Sequence, residues 1–161
     1  MQALYDLETV RPMWEELENI GVRSLKTPEE VDELLSKKGT TLLIINSVCG
    51  CAAGHARPGI ALALQHKIIP DRLVTVFAGV DREATQRARK YIPKTSPSSP
   101  SVALFKNGKL VYVLQRSQIE VISAEGVAKN LIRVFNYYCS AGGPSVPKET
   151  FEKSFVSARK R

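Results

Sequence analysis

The chain has 161 residues, 43% of them hydrophobic, which is long enough to bury a substantial core and argues for one domain. No run approaches the roughly 20 apolar residues of a membrane-spanning helix, and Met1 to Glu8 mixes apolar with acidic side chains where a secretory signal would have a basic start and an apolar block. The net charge of +7 comes from 23 basic and 16 acidic residues spread over several segments, without aromatic-basic interleaving, so nucleic acid is not the expected partner.

A soluble cytoplasmic protein, with no membrane association, is the expectation. In that compartment small thiols keep cysteines reduced, so Cys49, Cys51 and Cys139 do not form a disulfide framework. A close pair such as Cys49 and Cys51 instead points to catalysis or metal binding.

In chain order, Val10, Met13, Leu17 and Ile20 fall at helical spacing, with Pro12 near the start and Gly21 just past the end. Trp14 beside this stripe reads as a packing residue. Thr27-Pro28-Glu29-Glu30 supplies an N-cap, a first-turn proline and a capping-box glutamate for a second helix to about Lys37, burying Val31, Leu34 and Leu35 and ended by Gly39. Thr40 to Asn46 holds Leu42-Leu43-Ile44-Ile45, an apolar run without alternation, as in a central strand covered on both faces. The two cysteines follow at once, and then Ile60, Leu62, Ala63 and Leu64 continue a helix that fades near His66 and Lys67.

Arg72 to Ala78 is a further β-rich run. Asp81 can cap a helix through Ala84, Ala88 and Tyr91, with Arg82, Arg87, Arg89 and Lys90 on its solvent side. Pro93 to Ser101 is a loop by composition. Val102 to Phe105 and Leu110 to Leu114 flank Asn107-Gly108, an Asn-Gly hairpin signal. Ser123 caps a last long helix whose stripe is Val127, Leu131, Val134, Phe135 and Tyr138, up to Cys139. Beyond it, Gly142-Gly143-Pro144 and Pro147 mark the domain's edge, and residues 140–161 form a basic tail. That tail reads as a loosely docked appendage with a short helix around Phe151 to Ala158. Parallel strands joined by helices, then a hairpin and a closing helix, make a three-layer α/β/α domain with a mixed central sheet ending in an antiparallel hairpin.

Asn46-Ser47-Val48-Cys49-Gly50-Cys51-Ala52-Ala53-Gly54 carries the chemistry. Two thiols where a strand hands over to a helix have a physical use, because unpaired backbone N–H groups and the positive helix end favour a thiolate. Two alternatives stand beside redox work. Both cysteines can be buried and inert, or Cys49, Cys51 and His55 can open a metal site completed by Cys139 or His66.

Two stretches carry a resemblance. Pro100-Ser101-Val102-Ala103-Leu104-Phe105-Lys106-Asn107-Gly108 is similar to the thioredoxin segment in which a cis-proline precedes the hairpin, so Pro100 falls on that proline. The Cys49-Gly50-Cys51 stretch with Ala56-Arg57-Pro58, together with Thr75-Val76-Phe77-Ala78-Gly79, the Ser96 to Ser101 loop and Cys139, resembles the bacilliredoxin family from about residue 5 to 139. A thioredoxin-like domain over residues 1–139 with an N-terminal helical extension is therefore expected.

The resemblance implies a thiol–disulfide oxidoreductase that removes bacillithiol from client proteins carrying it as a mixed disulfide. It implies no bound cofactor, bacillithiol acting as co-substrate. It assigns the attack to Cys49, with Cys51 resolving or modulating and Gly50 allowing the turn an unusual backbone conformation. A Cys49–Cys51 bond would close a tight ring and be easily reduced. Pro100 and Ser99 would oppose the thiols, with the Ser99 backbone pairing to bound substrate. Arg57 either supports the thiolate or faces solvent. A general protein disulfide exchanger or isomerase is the alternative within the same chemistry.

Overall fold

The apolar run of Thr40–Asn46 is strand β2, buried along its whole length. The computed structural model describes residues 1–93 and 96–156, with the side chain of Val156 excepted. In it β2 is the middle strand of a five-stranded sheet, in the order β1 (Arg23–Ser24), β4 (Arg72–Phe77), β2, β5 (Ser101–Lys106), β6 (Lys109–Leu114). β1, β4 and β2 run parallel, while β5 is antiparallel to β2 and β6 to β5. Asn107 (φ 53°) and Gly108 (φ 80°) make the turn between the last two, both in the left-handed region that an Asn-Gly pair suits.

Alternate residues of β2 feed two cores, as a strand covered on both faces must. Leu42 and Ile44 join Val102 and Leu104 under helices α1 (Leu7–Glu18), α3 (Arg57–Ala63) and α6 (Ala124–Tyr138). Leu43 and Ile45 join Val74, Val76, Ala103 and Phe105 under α2 (Pro28–Leu35) and α4 (Arg82–Lys90). The expected three layers and mixed sheet are what the chain forms. α3 lies closely on α6, since a Cβ added at Gly59 would sit 2.5 Å from Val127 Cβ and 2.7 Å from the Ala124 carbonyl oxygen.

Three local expectations change. α1 starts three residues before Val10, because the Asp6 carboxylate accepts from the Thr9 backbone N–H at 3.0 Å and caps it. Pro12 therefore lies inside the helix rather than at its first position. Strands β1, β3 (Ile68–Ile69) and β7 (Ala141–Gly142) and the single-turn helix α5 (Arg116–Ile119) were not foreseen, being too short to show a hydrophobic period.

The third change concerns the segment after Cys139, which is docked rather than loose. β7 pairs with β3, the Ser145 hydroxyl donates to the Ile20 carbonyl at 2.7 Å, and the Gln65 amide donates to the Val146 carbonyl at 2.9 Å. α7 (Lys148–Phe151) and a wide turn over Glu152–Val156 then bury Phe151 and Phe155, whose rings stack with centroids 6.2 Å apart, in the α1–α6 core. Ala158, where the short helix was expected to end, lies outside the described residues.

Candidate active site

Asn46 ends β2, and the backbone turns through Ser47 and Val48 into a helix that includes Gly50 and Cys51. The helix widens into a π-type turn over Ala52–Ala56 before continuing as α3. Such bulges recur at functional sites because they re-aim side chains. Cys49, Cys51 and Cys139 are all free thiols, each partly exposed.

What holds the turn is a network absent from the sequence reading. Arg57 is only 2% exposed. Its Nε donates to Glu16 Oε1 at 3.0 Å, and its Nη1 donates to Asn46 Oδ1 at 3.0 Å and to the Ser47 carbonyl at 2.9 Å. Asn46 also donates from Nδ2 to the Met13 carbonyl at 3.1 Å and accepts from the Ser47 backbone N–H at 2.9 Å. One guanidinium thus ties α1, the end of β2 and the start of α3 together. Arg57 does not face solvent; it fixes Ser47, whose hydroxyl touches the Cys49 sulfur.

Ser47 in turn touches the sulfur. Its hydroxyl lies 3.2 Å from Cys49 Sγ and accepts from the Cys49 backbone N–H at 3.4 Å. Burial pushes the Cys49 thiol up, but the Ser47 hydroxyl, the backbone N–H groups of Ala52 and Cys51 and the charge of Arg116 together outweigh it and hold the thiol below its ordinary range. Cys51 has a different neighbour, Glu120, whose Oε2 is 4.0 Å from its sulfur. Arg116 Nε stands 3.6 Å from the same carboxylate. A cation and an anion one helical turn apart are therefore divided between the two thiols.

Gly50 plays another part than expected. It is not among the glycines with positive φ, and a Cβ added there would meet nothing within 4 Å. It takes a helical place with open space where a side chain would start. Pro100 follows a cis peptide bond from Ser99, and the register that pairs Ile45 with Ser101 sets it beside the end of β2, level with the turn that carries Cys49. Arg116 Nη1 donates to the Ser99 carbonyl at 3.4 Å, so that oxygen already has a protein partner.

The ligands of the metal alternative are not brought together. His55 donates from Nδ1 to the Ile122 carbonyl, and His66 Nε2 bonds Asn136 Oδ1 at 2.7 Å on another face. Cys139 sits at the opposite end of β2, where its thiol interacts with Thr40. Among the described residues no three His, Cys, Asp or Glu side chains form a ligand set. Among them, too, no helix is long and apolar enough to cross a membrane.

The family model described as disulphide isomerase matches residues 5–139. A bacilliredoxin of Staphylococcus aureus strain NCTC 8325 / PS 47 is 51% identical over 136 residues, covering 84% of this chain and 94% of the relative, and one of strain MRSA252 is 50% identical over the same span. The chain belongs to the bacilliredoxin family. The oxidised mitochondrial thioredoxin 3 of Saccharomyces cerevisiae has the same fold at 16% identity, with a TM-score of 0.51 over 74% of this chain and 97% of that one. A thioredoxin variant from Halobacterium salinarum gives 18% identity and a TM-score of 0.51 over 80% and 96%. The family and the thioredoxin-like fold make this bacilliredoxin relative a thiol–disulfide oxidoreductase. Arg116, Glu120 and Ser47 are the site residues that sequence reasoning missed. The polar pair Asn46-Ser47 directly after the apolar run Leu42 to Ile45 was the available signal for Ser47.

Proposed function

We propose that the protein removes bacillithiol from client proteins in the cytoplasm, with Cys49 as the attacking thiolate. The observation that carries this reading is the setting of Cys49, held below the ordinary thiol range by Ser47, two backbone N–H groups and Arg116 at an open strand-to-helix turn. A thiolate is the species that attacks a disulfide.

The Cys49 thiolate attacks the bacillithiol sulfur of the mixed disulfide. A Cys49–bacillithiol bond forms, the client's S–S bond breaks, and the client cysteine leaves as a thiolate. Cys51 then attacks Cys49 Sγ, giving a Cys49–Cys51 disulfide and releasing bacillithiol. Glu120, at 4.0 Å, takes the Cys51 proton. A second bacillithiol can instead attack the intermediate, regenerating Cys49 and releasing oxidised bacillithiol. The Ser99 N–H beside Pro100 is the backbone group left to pair with a bound client, since Arg116 already occupies the carbonyl. No bound cofactor is needed for these steps.

The test compares transfer from a bacillithiolated and a glutathionylated form of one client, followed by intact mass, with Glu120→Gln as a second arm. Faster transfer from the bacillithiolated client supports the reading, and Glu120→Gln should then lengthen the life of the Cys49 adduct. Equal rates favour a general disulfide exchanger or isomerase, a reading that the family model's description also supports.

A further inference from the structure

Several arginines are matched to a carboxylate. Arg57 has Glu16, Arg87 has Asp32, Arg23 has Glu30 and Arg116 has Glu120. Arg89 differs. It lies partly buried on the last turn of α4, and among the described residues its Nε is buried with no hydrogen-bond partner. Burial draws this guanidinium below its ordinary value, and no carboxylate acts on it in the opposite direction.

One turn earlier on the same helix stands a second group without a partner among the described residues. Thr85 is 2% exposed, and among the described residues its hydroxyl oxygen has no hydrogen-bond partner. Both residues line a cavity of about 200 Å³, together with Leu4, Gly79, Arg82 and Gln86. No carboxylate among the described residues lines it. The nearest acidic side chain on α4, Glu83, is taken by the amino terminus at 2.7 Å. Arg82 donates to the Gln2 carbonyl at 3.1 Å, which steadies its side chain at the cavity and leaves its other N–H groups over. Buried donors left unpaired are uncommon in folded proteins, and one reason for retaining them is a ligand that completes them.

We propose that this cavity is a binding site for a small dicarboxylate, with Arg82 and Arg89 as the two charged forks and the Thr85 hydroxyl between them. Seven residues separate the two arginines, about 10 Å along the helix at 1.5 Å per residue, and both line the one cavity. That spacing suits two anionic groups on a short carbon chain better than a single compact anion. The volume agrees, being room for about six or seven waters at roughly 30 Å³ each. A guanidinium binds a carboxylate through two parallel N–H donors, which would satisfy the buried Nε of Arg89.

The site is separate from the cysteines yet adjoins their loop. Arg89 also lines a smaller cavity of about 60 Å³ with Ser98, Ser101 and Gln115, behind the segment that carries Pro100. The dicarboxylate has two sources of equal chemistry, a free metabolite or the carboxylate arms of a small thiol.

Amide shifts of the isotope-labelled full chain would be followed while succinate, S-methylglutathione and inorganic phosphate are titrated in separately. Saturable shifts at Gly79, Thr85 and Gln86 with succinate or S-methylglutathione are the expected result, and they should persist in Cys49→Ser, which keeps this site distinct from the thiol chemistry. Shifts that extend to Gly50 and Ala52 with S-methylglutathione identify a thiol as the source, and shifts confined to α4 identify a metabolite. Arg89→Gln should weaken binding by about tenfold or more, with Thr85→Val weakening it less. Phosphate binding as tightly as succinate would overturn the dicarboxylate assignment. Absence of saturable shifts, or unchanged affinity in an Arg89→Gln protein with a wild-type spectrum elsewhere, would overturn the site.

Discussion

A cysteine lies near each end of strand β2, and the two surroundings shift its thiol in opposite directions. Beyond the C-terminal end, Cys49 meets a hydroxyl, backbone N–H groups and the charge of Arg116, which overcome the cost of burial and hold it below the ordinary thiol range. At the N-terminal end, burial pushes the Cys139 thiol up; the Thr40 hydroxyl and Lys106 pull it back, while Asp71 pushes the same way as burial. The seven residues of β2 separate the two ends by roughly 20 Å, at about 3.3 Å per residue, so Cys139 is out of reach as a resolving partner. The turn sets the direction of the Cys49 shift, and the same residue type a strand's length away packs against the core.

That contrast can be broken most severely by exchanging sulfur for oxygen at each end in turn. Cys49→Ser should abolish transfer of a small thiol from a client, whereas Cys139→Ser should leave the transfer rate unchanged, both read by intact mass. A Cys139→Ser protein as inactive as Cys49→Ser would remove the distinction. Next in size is Arg57→Met, which leaves Glu16, Asn46 and the Ser47 carbonyl without their shared donor. Breaking a buried, charge-assisted network of this kind costs about 3 kcal/mol, so the melting temperature should fall along with thiol reactivity. An Arg57→Met protein of wild-type stability would show that the network does not hold the turn.

Ser47→Ala is subtler. The hydroxyl favours the thiolate, so removing it should move the pH at which Cys49 becomes alkylated upward, toward the ordinary thiol value, and leave Cys139 where it is. The sign for stability follows from the same shift. Because the folded thiol of Cys49 is held low, its thiolate stabilises the reduced fold above the unfolded thiol's pKa, and that contribution is lost as pH falls through the folded value. Ser47→Ala should diminish it. An alkylation profile of Cys49 that does not change would show that the 3.2 Å contact has no bearing on the charge.

The frame of this molecule was readable because its strongest local signals agree with one another. Leu42 to Ile45 announced a strand covered on both faces, Thr27-Pro28 a helix start, Asn107-Gly108 a hairpin, and Asn46 to Gly54 the turn from strand to helix. Arg57 was left open between supporting the thiolate and facing solvent because an arginine is ordinarily solvated, and only the meeting of Glu16, Asn46 and the Ser47 carbonyl makes a dry position tenable for its charge. Arg116 and Glu120 were invisible for another reason. Glu120 is 69 residues from Cys51, and the single turn of helix that presents this pair has no period to detect. Gly50 shows a third kind of error, in which permissive backbone was inferred from glycine alone, while the residue takes an ordinary helical place. The tail was judged by its glycines and prolines, and the apolar pair Phe151 and Phe155, one turn apart, outweighed them.

The account rests on Cys49 being the first sulfur to act. Reduced protein would be mixed with a client carrying an isotope-labelled small thiol as a mixed disulfide, quenched in acid after a short interval and digested for mass mapping. Label appearing first on Cys49, with Cys51 joining later and Cys139 unlabelled, is the predicted result. Label arriving first on Cys51 or on Cys139 would contradict it.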